Sequence, residues 1–166
     1  MAVFAKPKRM MAAILVILIG GAISSAILIL GRGQPVSART ALSDMRLNYT
    51  SLIPALRTFG SQLEECNKPK PSLSCLERGE YSMANVYQMY AQNVSKIPVP
   101  NNIDARLARQ EVVSAATQSA EDLRALSRPR TLTQYRQVLE VSPFLLDGQQ
   151  SDYASQHFIY LLERMH

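Results

Sequence analysis

Hydrophobic and polar positions along this chain change pattern once, early. Met10 to Gly31, "MMAAILVILIGGAISSAILILG", is an unbroken apolar run without a charged residue. At about 1.5 Å per residue it is long enough to cross a hydrocarbon core of roughly 30 Å, so it predicts a transmembrane helix. Beyond it the apolar positions become periodic. Ala38, Leu42, Met45, Tyr49, Leu52, Leu56, Phe59 and Leu63 recur at alternating intervals of four and three, the pattern of a long helix packed along another helix. Pro54 falls inside this run and predicts a kink. A second run follows Cys75, through Leu76, Gly79, Met83, Val86, Tyr90, Val94 and Ile97.

"KIPVPNN" stops the second helix at Pro98 and Pro100 and offers Asn101 or Asn102 as a cap for the third. That third helix carries Ala105, Ala108, Val112, Ala116, Ser119, Leu123 and Leu126 on one stripe, a face of small residues that lets another helix come close. Pro129 breaks the chain again. Thr131 and Gln134 have the spacing of a capping box, and they predict a short fourth helix to about Glu140 or Val141. Pro143 then interrupts, Phe144, Leu145 and Leu146 form an apolar plug, and Asp147 with Gly148 reads as a turn. A last helix is expected from Ser151 or Asp152, with Ala154, Phe158, Leu161 and Met165 on one stripe, widened by Ile159 and Leu162, and with Tyr153, His157 and Tyr160 on another. No strand-like alternation of any length and no internal repeat appears. The expected fold is all-α: an N-terminal transmembrane helix followed by an extracytoplasmic antiparallel helical bundle.

Charge decides orientation. Lys6, Lys8 and Arg9 precede the apolar run and Arg32 follows it, so the excess of cations places the N-terminus in the cytoplasm. Those four account for most of the net charge of +5, because the rest of the chain carries fourteen basic residues against thirteen acids. The expected division is a basic tail over 1–9, a span over 10–31 and an extracytoplasmic domain over 32–166, in the inner or plasma membrane. Small residues at Val36–Ala38, "VSA", admit the rival reading of a cleaved signal peptide, against which the length of the apolar run speaks. A near-neutral ectodomain without a basic stripe argues against nucleic acid as a partner. Membrane lipids are the partner the tail implies. Within the span, Gly20, Gly21, Ser24 and Ser25 place small residues four apart, which suits packing against a neighbouring helix.

Topology in turn decides the cysteine chemistry. Cys66 and Cys75 are the chain's two cysteines, separated by "NKPKPSLS". Outside the cytoplasm a pair is expected to be oxidised, and a zinc site would need about four ligands, whereas His157 and His166 lie far along the chain. The pair therefore predicts a disulfide stapling a helical hairpin at its loop. Catalytic signatures are missing: there is no G-x-S-x-G, no H-E-x-x-H and no glycine-rich phosphate loop. The carboxylate pairs Glu64/Glu65 and Glu121/Asp122 point about 100° apart on a helix and read as solvated charges. No enzyme activity, cofactor or metal is expected. The sequons at Asn48 and Asn93 matter only in a eukaryotic secretory pathway.

The short basic tail, the uncleaved anchor, the Cys66/Cys75 hairpin, the "IPVP" elbow and the Ala/Arg-rich third helix together resemble small single-pass envelope proteins of actinobacteria, among them accessory subunits of Mce-type lipid importers. The resemblance implies an accessory or stabilising subunit of a larger envelope complex and assigns no residue a role. A self-standing helical module that binds lipid or peptide is the alternative. The apolar surface that four striped helices would not consume, Phe144, Leu145, Leu146, Phe158, Ile159 and Leu162, is the expected docking face for a partner subunit. A last helix that simply closes the bundle core is the competing expectation.

Overall fold

The computed structural model describes residues 37–166, apart from the side chains of residues 144–146. The apolar run 10–31, with Gly20, Gly21, Ser24 and Ser25, and the basic tail lie outside the described residues. No described helix is long and apolar enough to cross a membrane. The described chain folds into five helices, α1 (Ala38–Cys66), α2 (Leu73–Ser95), α3 (Ile103–Leu126), α4 (Leu132–Val141) and α5 (Phe144–Arg164), with no strand among them.

Local signals set most of the boundaries. Ser37 accepts a hydrogen bond from the Thr40 amide at the start of α1, and Asn102 Oδ1 accepts from the Ala105 amide at the start of α3. Thr131 Oγ1 accepts from the Gln134 amide at the start of α4, while the Gln134 side chain reaches back to the Arg130 amide, one residue before the cap. α1 runs through Pro54, which sits on the exposed side of the helix where the lost amide faces water.

The C-terminal region departs from expectation. Pro143 ends α4 but also opens α5, its carbonyl accepting from the Asp147 amide, and the helix continues through Asp147 and Gly148 without a turn. Proline is compatible with the first turn of a helix, where its missing N–H has no partner to lose. Asp147 in that turn complements the helix dipole. A Cβ built on Gly148 would stand 3.6 Å from the Tyr87 hydroxyl, an ordinary contact, so the glycine marks close packing on α2 rather than a bend.

α1, α2, α3 and α5 form a closed ring in which each helix packs on two neighbours, in the order α1, α2, α3, α5 and back to α1. Arg46 pairs with Glu163 at 2.5 Å and Tyr49 donates to Asp152, so α5 runs antiparallel to α1. The expected stripe of α3 is buried at every position named above, from Ala105 to Leu126. Its alanines bring α2 and α5 close, and Phe158 and Leu162, both fully buried, fill the centre with Met45, Val94 and Val112. This corrects the expected docking face at Phe158 and Leu162, which are consumed by the core, while Ile159 is half-buried against it; the side chains of Phe144, Leu145 and Leu146 lie outside what is described. The reason is the small side chains of α3, which leave room for the bulk that α5 supplies.

Cys66, the last residue of α1, and Cys75, in the opening turns of α2, are joined in a disulfide with their Cα atoms 5.4 Å apart. The Ser72 amide donates to the Cys66 carbonyl at 2.9 Å and closes the same loop from the backbone.

Candidate functional site

A second, smaller apolar cluster lies at the disulfide end of the bundle, built from Cys66, Leu76, Leu126 and Tyr135. Here α4 crosses over the long helices. Of its ten residues only Tyr135 is buried, and its one substantial neighbour among the helices is α3. Such an element is held by few apolar contacts, which places it among the parts of a fold that open most easily.

Beneath α4 lies a cavity of about 200 Å³, lined by Phe59 and Leu63 of α1, Glu80 of α2, Leu123 and Leu126 of α3, Tyr135 and Leu139 of α4, and Ser142. Leu139 is 45% exposed and marks the mouth. The walls are largely hydrocarbon, and among the described residues Glu80, Tyr135 and Ser142 contribute the polar side chains. Glu80 is 1% exposed, and its Oε1 accepts a hydrogen bond of 2.5 Å from the Tyr135 hydroxyl. Its other carboxyl oxygen, Oε2, is buried without a hydrogen-bond partner. Burial pushes the Glu80 carboxyl up to about 7; the Tyr135 hydrogen bond works against that shift and the charge of Glu77 adds to it. Burial, and then the hydrogen bond to Glu80, raises the Tyr135 phenol in turn.

Glu80 reaches this position through helix periodicity. Leu76, Gly79, Met83 and Tyr90 face the core as expected, but Glu80, Ala84, Tyr87 and Ala91 form an adjacent row that is buried as well. The apolar face of α2 is thus two rows wide, and Glu80 is the one ionisable carboxyl on it. In the sequence it reads as an ordinary charged residue beside a stripe. The signal that finds it is the second row, Glu80, Ala84, Tyr87 and Ala91 at intervals of four, three and four.

Two further polar groupings mark the same half of the molecule and its middle. Asp122 on α3 is buried, and burial followed by the neighbouring Asp147 carboxyl of α5 pushes it up to about 6, so Asp122 favours holding a proton. Between α2 and α5, the Tyr90 hydroxyl lies 2.7 Å from Ser155 Oγ, which donates to the Ser151 carbonyl. Burial also pushes the Tyr87 phenol up to about 12. These are ties between helices.

On the outside of α5, Tyr153 stacks on His157 with ring centroids 6.2 Å apart, and the Arg164 guanidinium lies 5.8 Å from the centre of the Tyr160 ring. His157 Nδ1 is 3.8 Å from a Glu111 carboxylate oxygen on α3. Tyr153 also borders an open groove with Glu111, Ala115 and Gln150. The outward row of α5, rather than Phe158 and Leu162, is what that helix presents to solvent. Among the described residues no cluster of His, Cys, Asp and Glu is arranged to hold a metal ion.

Comparison of the chain with protein-family models, with curated proteins and with solved structures finds no match.

Proposed function

We propose that this chain is a membrane-tethered, extracytoplasmic helical module that works by non-catalytic binding, with the cavity beneath α4 as its binding site. The observation that carries this reading is the largely apolar cavity under a lightly held helix, with the buried Glu80 carboxyl in its wall and one oxygen of that carboxyl without a hydrogen-bond partner. A buried polar atom without a partner costs about 1–3 kcal/mol, and departures of this kind from a fully satisfied core are expected at functional sites. The apolar segment 10–31 supplies the tether, with the basic tail inside and the disulfide-stapled bundle outside.

A second reading, an accessory subunit of a larger envelope complex such as a lipid importer, is favoured by the outward aromatic row of α5, with Tyr153 69% and Tyr160 52% exposed. The two separate in one experiment. Full-length protein is extracted from its native membrane in mild detergent and analysed intact by mass spectrometry. A monomer that retains a small organic molecule supports the binding module, whereas a stoichiometric larger partner, lost on Tyr153→Ala and Tyr160→Ala, supports the subunit. Bare monomer without either counts against both.

A further inference from the structure

A tether constrains the domain by its length. The apolar run ends at Gly31 and the cap of α1 is Ser37. Fully extended, the chain between them reaches about 21 Å, of which the headgroup layer of a bilayer takes up about 5–8 Å. The end of the bundle where α1 begins is therefore confined to the neighbourhood of the lipid headgroups.

The other helices at that end follow from the contacts between them. Arg46 of α1 pairs with Glu163 in the last turn of α5. Arg109, in the second turn of α3, donates to the Ile97 carbonyl just past the end of α2 at 2.7 Å, and Glu111 of α3 faces His157 of α5. The end of α2, the start of α3 and the end of α5 thus surround the start of α1. Beyond Glu111 in this direction α3 exposes Ile103 and Leu107, 60% and 56% exposed, four residues apart and so on one face. Beyond His157, α5 exposes Tyr160 beneath the Arg164 guanidinium.

The exposed cations at this end are Arg39, Lys96, Arg106 and Arg164. Its carboxylates are otherwise engaged or few: Asp44 is half-buried, Asp104 lies in the first turn of α3 where it complements the helix dipole, and Glu163 is held by Arg46. Aliphatic side chains beside Arg and Lys, with a tyrosine among them, are what the boundary of an anionic bilayer accommodates, because cations meet lipid phosphate while apolar tips and the phenol ring enter the headgroup layer. A protein partner is the competing occupant of such a face. The tether favours lipid, since it keeps phosphate at a high effective concentration beside these residues. Leu139 and Val141 are also exposed, but they belong to the disulfide end, separated from this one by the length of α3, 24 residues or about 36 Å.

We propose that the end of the bundle where α1 and α3 begin docks on an anionic bilayer surface, with Ile103 and Leu107 entering the headgroup layer and Lys96, Arg106 and Arg164 lying against lipid phosphates. The proposal rests on the tethered part of the reading above and is independent of what the cavity holds. Its consequence is that the cavity mouth at Leu139 opens away from the bilayer.

The test uses the full-length chain in lipid nanodiscs, with isoleucine and leucine methyl groups labelled for NMR and a nitroxide carried near the top of the lipid acyl chains. Discs of phosphatidylcholine alone are compared with discs containing about one-third phosphatidylglycerol, at an ionic strength of about 0.15 M where the Debye length is about 8 Å. In the anionic discs the Ile103 and Leu107 methyl signals are expected to broaden at least about three-fold more than in the neutral discs, while Leu139 stays sharp in both, and the difference should vanish at about 1 M salt. Lys96→Glu, Arg106→Glu and Arg164→Glu together should abolish the lipid preference, and the wild-type lipid and salt comparisons decide by themselves if that variant fails to fold. Equal broadening in both kinds of disc, or none in either, overturns the docking and leaves the tether intact. Broadening of Leu139 in place of Ile103 overturns it by showing that another face meets the lipid. A chain that does not enter the discs at all overturns the tether, and the docking with it.

Discussion

The half of the bundle where α1 begins and the half that α4 crosses are built from similar side chains and differ in what they leave unfilled. Around Met45, Ala91, Val94, Ala105, Ala108, Val112, Phe158 and Leu162 the helices meet through alanine and valine, and every one of these residues is almost completely buried. The groups there are apolar and matched in size, which is how a core reaches close packing. At the other end, larger residues, Phe59, Leu63, Leu126 and Tyr135, stand further apart around a cavity that holds a carboxyl group. The first half is organised for stability. The second spends some of that stability on keeping a polar atom and a space.

The largest expected effect tests the dry half. Phe158→Ala removes a fully buried ring from the centre of the ring of helices, and should destabilise the domain by about 3–5 kcal/mol in chemical denaturation. Phe158→Glu should leave no folded domain. A Phe158→Glu protein with native helical circular dichroism would mean that α5 is not a core element, and the comparison would collapse.

Next comes the staple of the cavity end. Replacing Cys66 and Cys75 by serine opens a loop with a sequence separation of 9, and should lower stability by about 2–3 kcal/mol, chiefly by freeing the unfolded chain. Native-state hydrogen exchange sharpens this. Amides of α4 and the start of α2 should lose more protection than those of α3 near Val112, and uniform loss would show that the two halves unfold as one unit.

The third prediction concerns acidity. Glu80 has its carboxyl raised from an ordinary 4.5 to about 7, so the folded protein holds this proton more tightly than the unfolded chain does. The stability it contributes is complete below the ordinary value and is lost as pH rises through about 7. At about 1.4 kcal/mol per pH unit the fall is at most about 3 kcal/mol, and water reaching the mouth at Leu139 reduces it to about 2 kcal/mol. Glu80→Gln should flatten the upper part of this slope in denaturation curves measured across pH. Asp122, raised from 3.8 to about 6, has the same sign, so Asp122→Asn should flatten the lower part. A wild-type stability that rises between pH 4.5 and 7 would contradict the buried, neutral Glu80.

The smallest effect is expected at Gly60, an exposed position within α1 where an added Cβ would meet nothing within 4 Å. Gly60→Ala should raise stability by about 0.5–1 kcal/mol by restricting the unfolded backbone, without altering either half. A loss of stability on thermal unfolding would reveal an unseen requirement for glycine there.

These two halves were not equally visible in the sequence. Four-and-three spacing named the buried stripe of α3 residue by residue, and proline with a capping side chain placed the ends of α2, α3 and α4. Such signals are local, and local signals suffice for regular packing. Gly148 and Pro143 misled because each residue type has two structural uses: glycine as a bend or as a point of close approach, proline as a breaker or as a first-turn residue. Phe158 and Leu162 read as surplus because the space they fill is created by alanines about forty to fifty positions earlier. Glu80 was hidden for a related cause. Its burial depends on Phe59, Leu123, Leu126 and Tyr135 converging from three other helices, and no spacing along α2 announces that convergence.

The closed order of the ring carries a consequence for how the molecule is made. α5 seals both α1 and α3, and its two fully buried large side chains, Phe158 and Leu162, are synthesised after the whole of α1 to α3. Chains emerge N-terminus first at about 5–20 residues per second, so for several seconds α1 to α3 exist with their alanine faces uncovered. The disulfide hairpin can form early, but the domain cannot complete its core until α5 is free. During that interval the nascent protein is a three-stave barrel with an open seam, and its most dangerous competitor is the same seam on another unfinished copy.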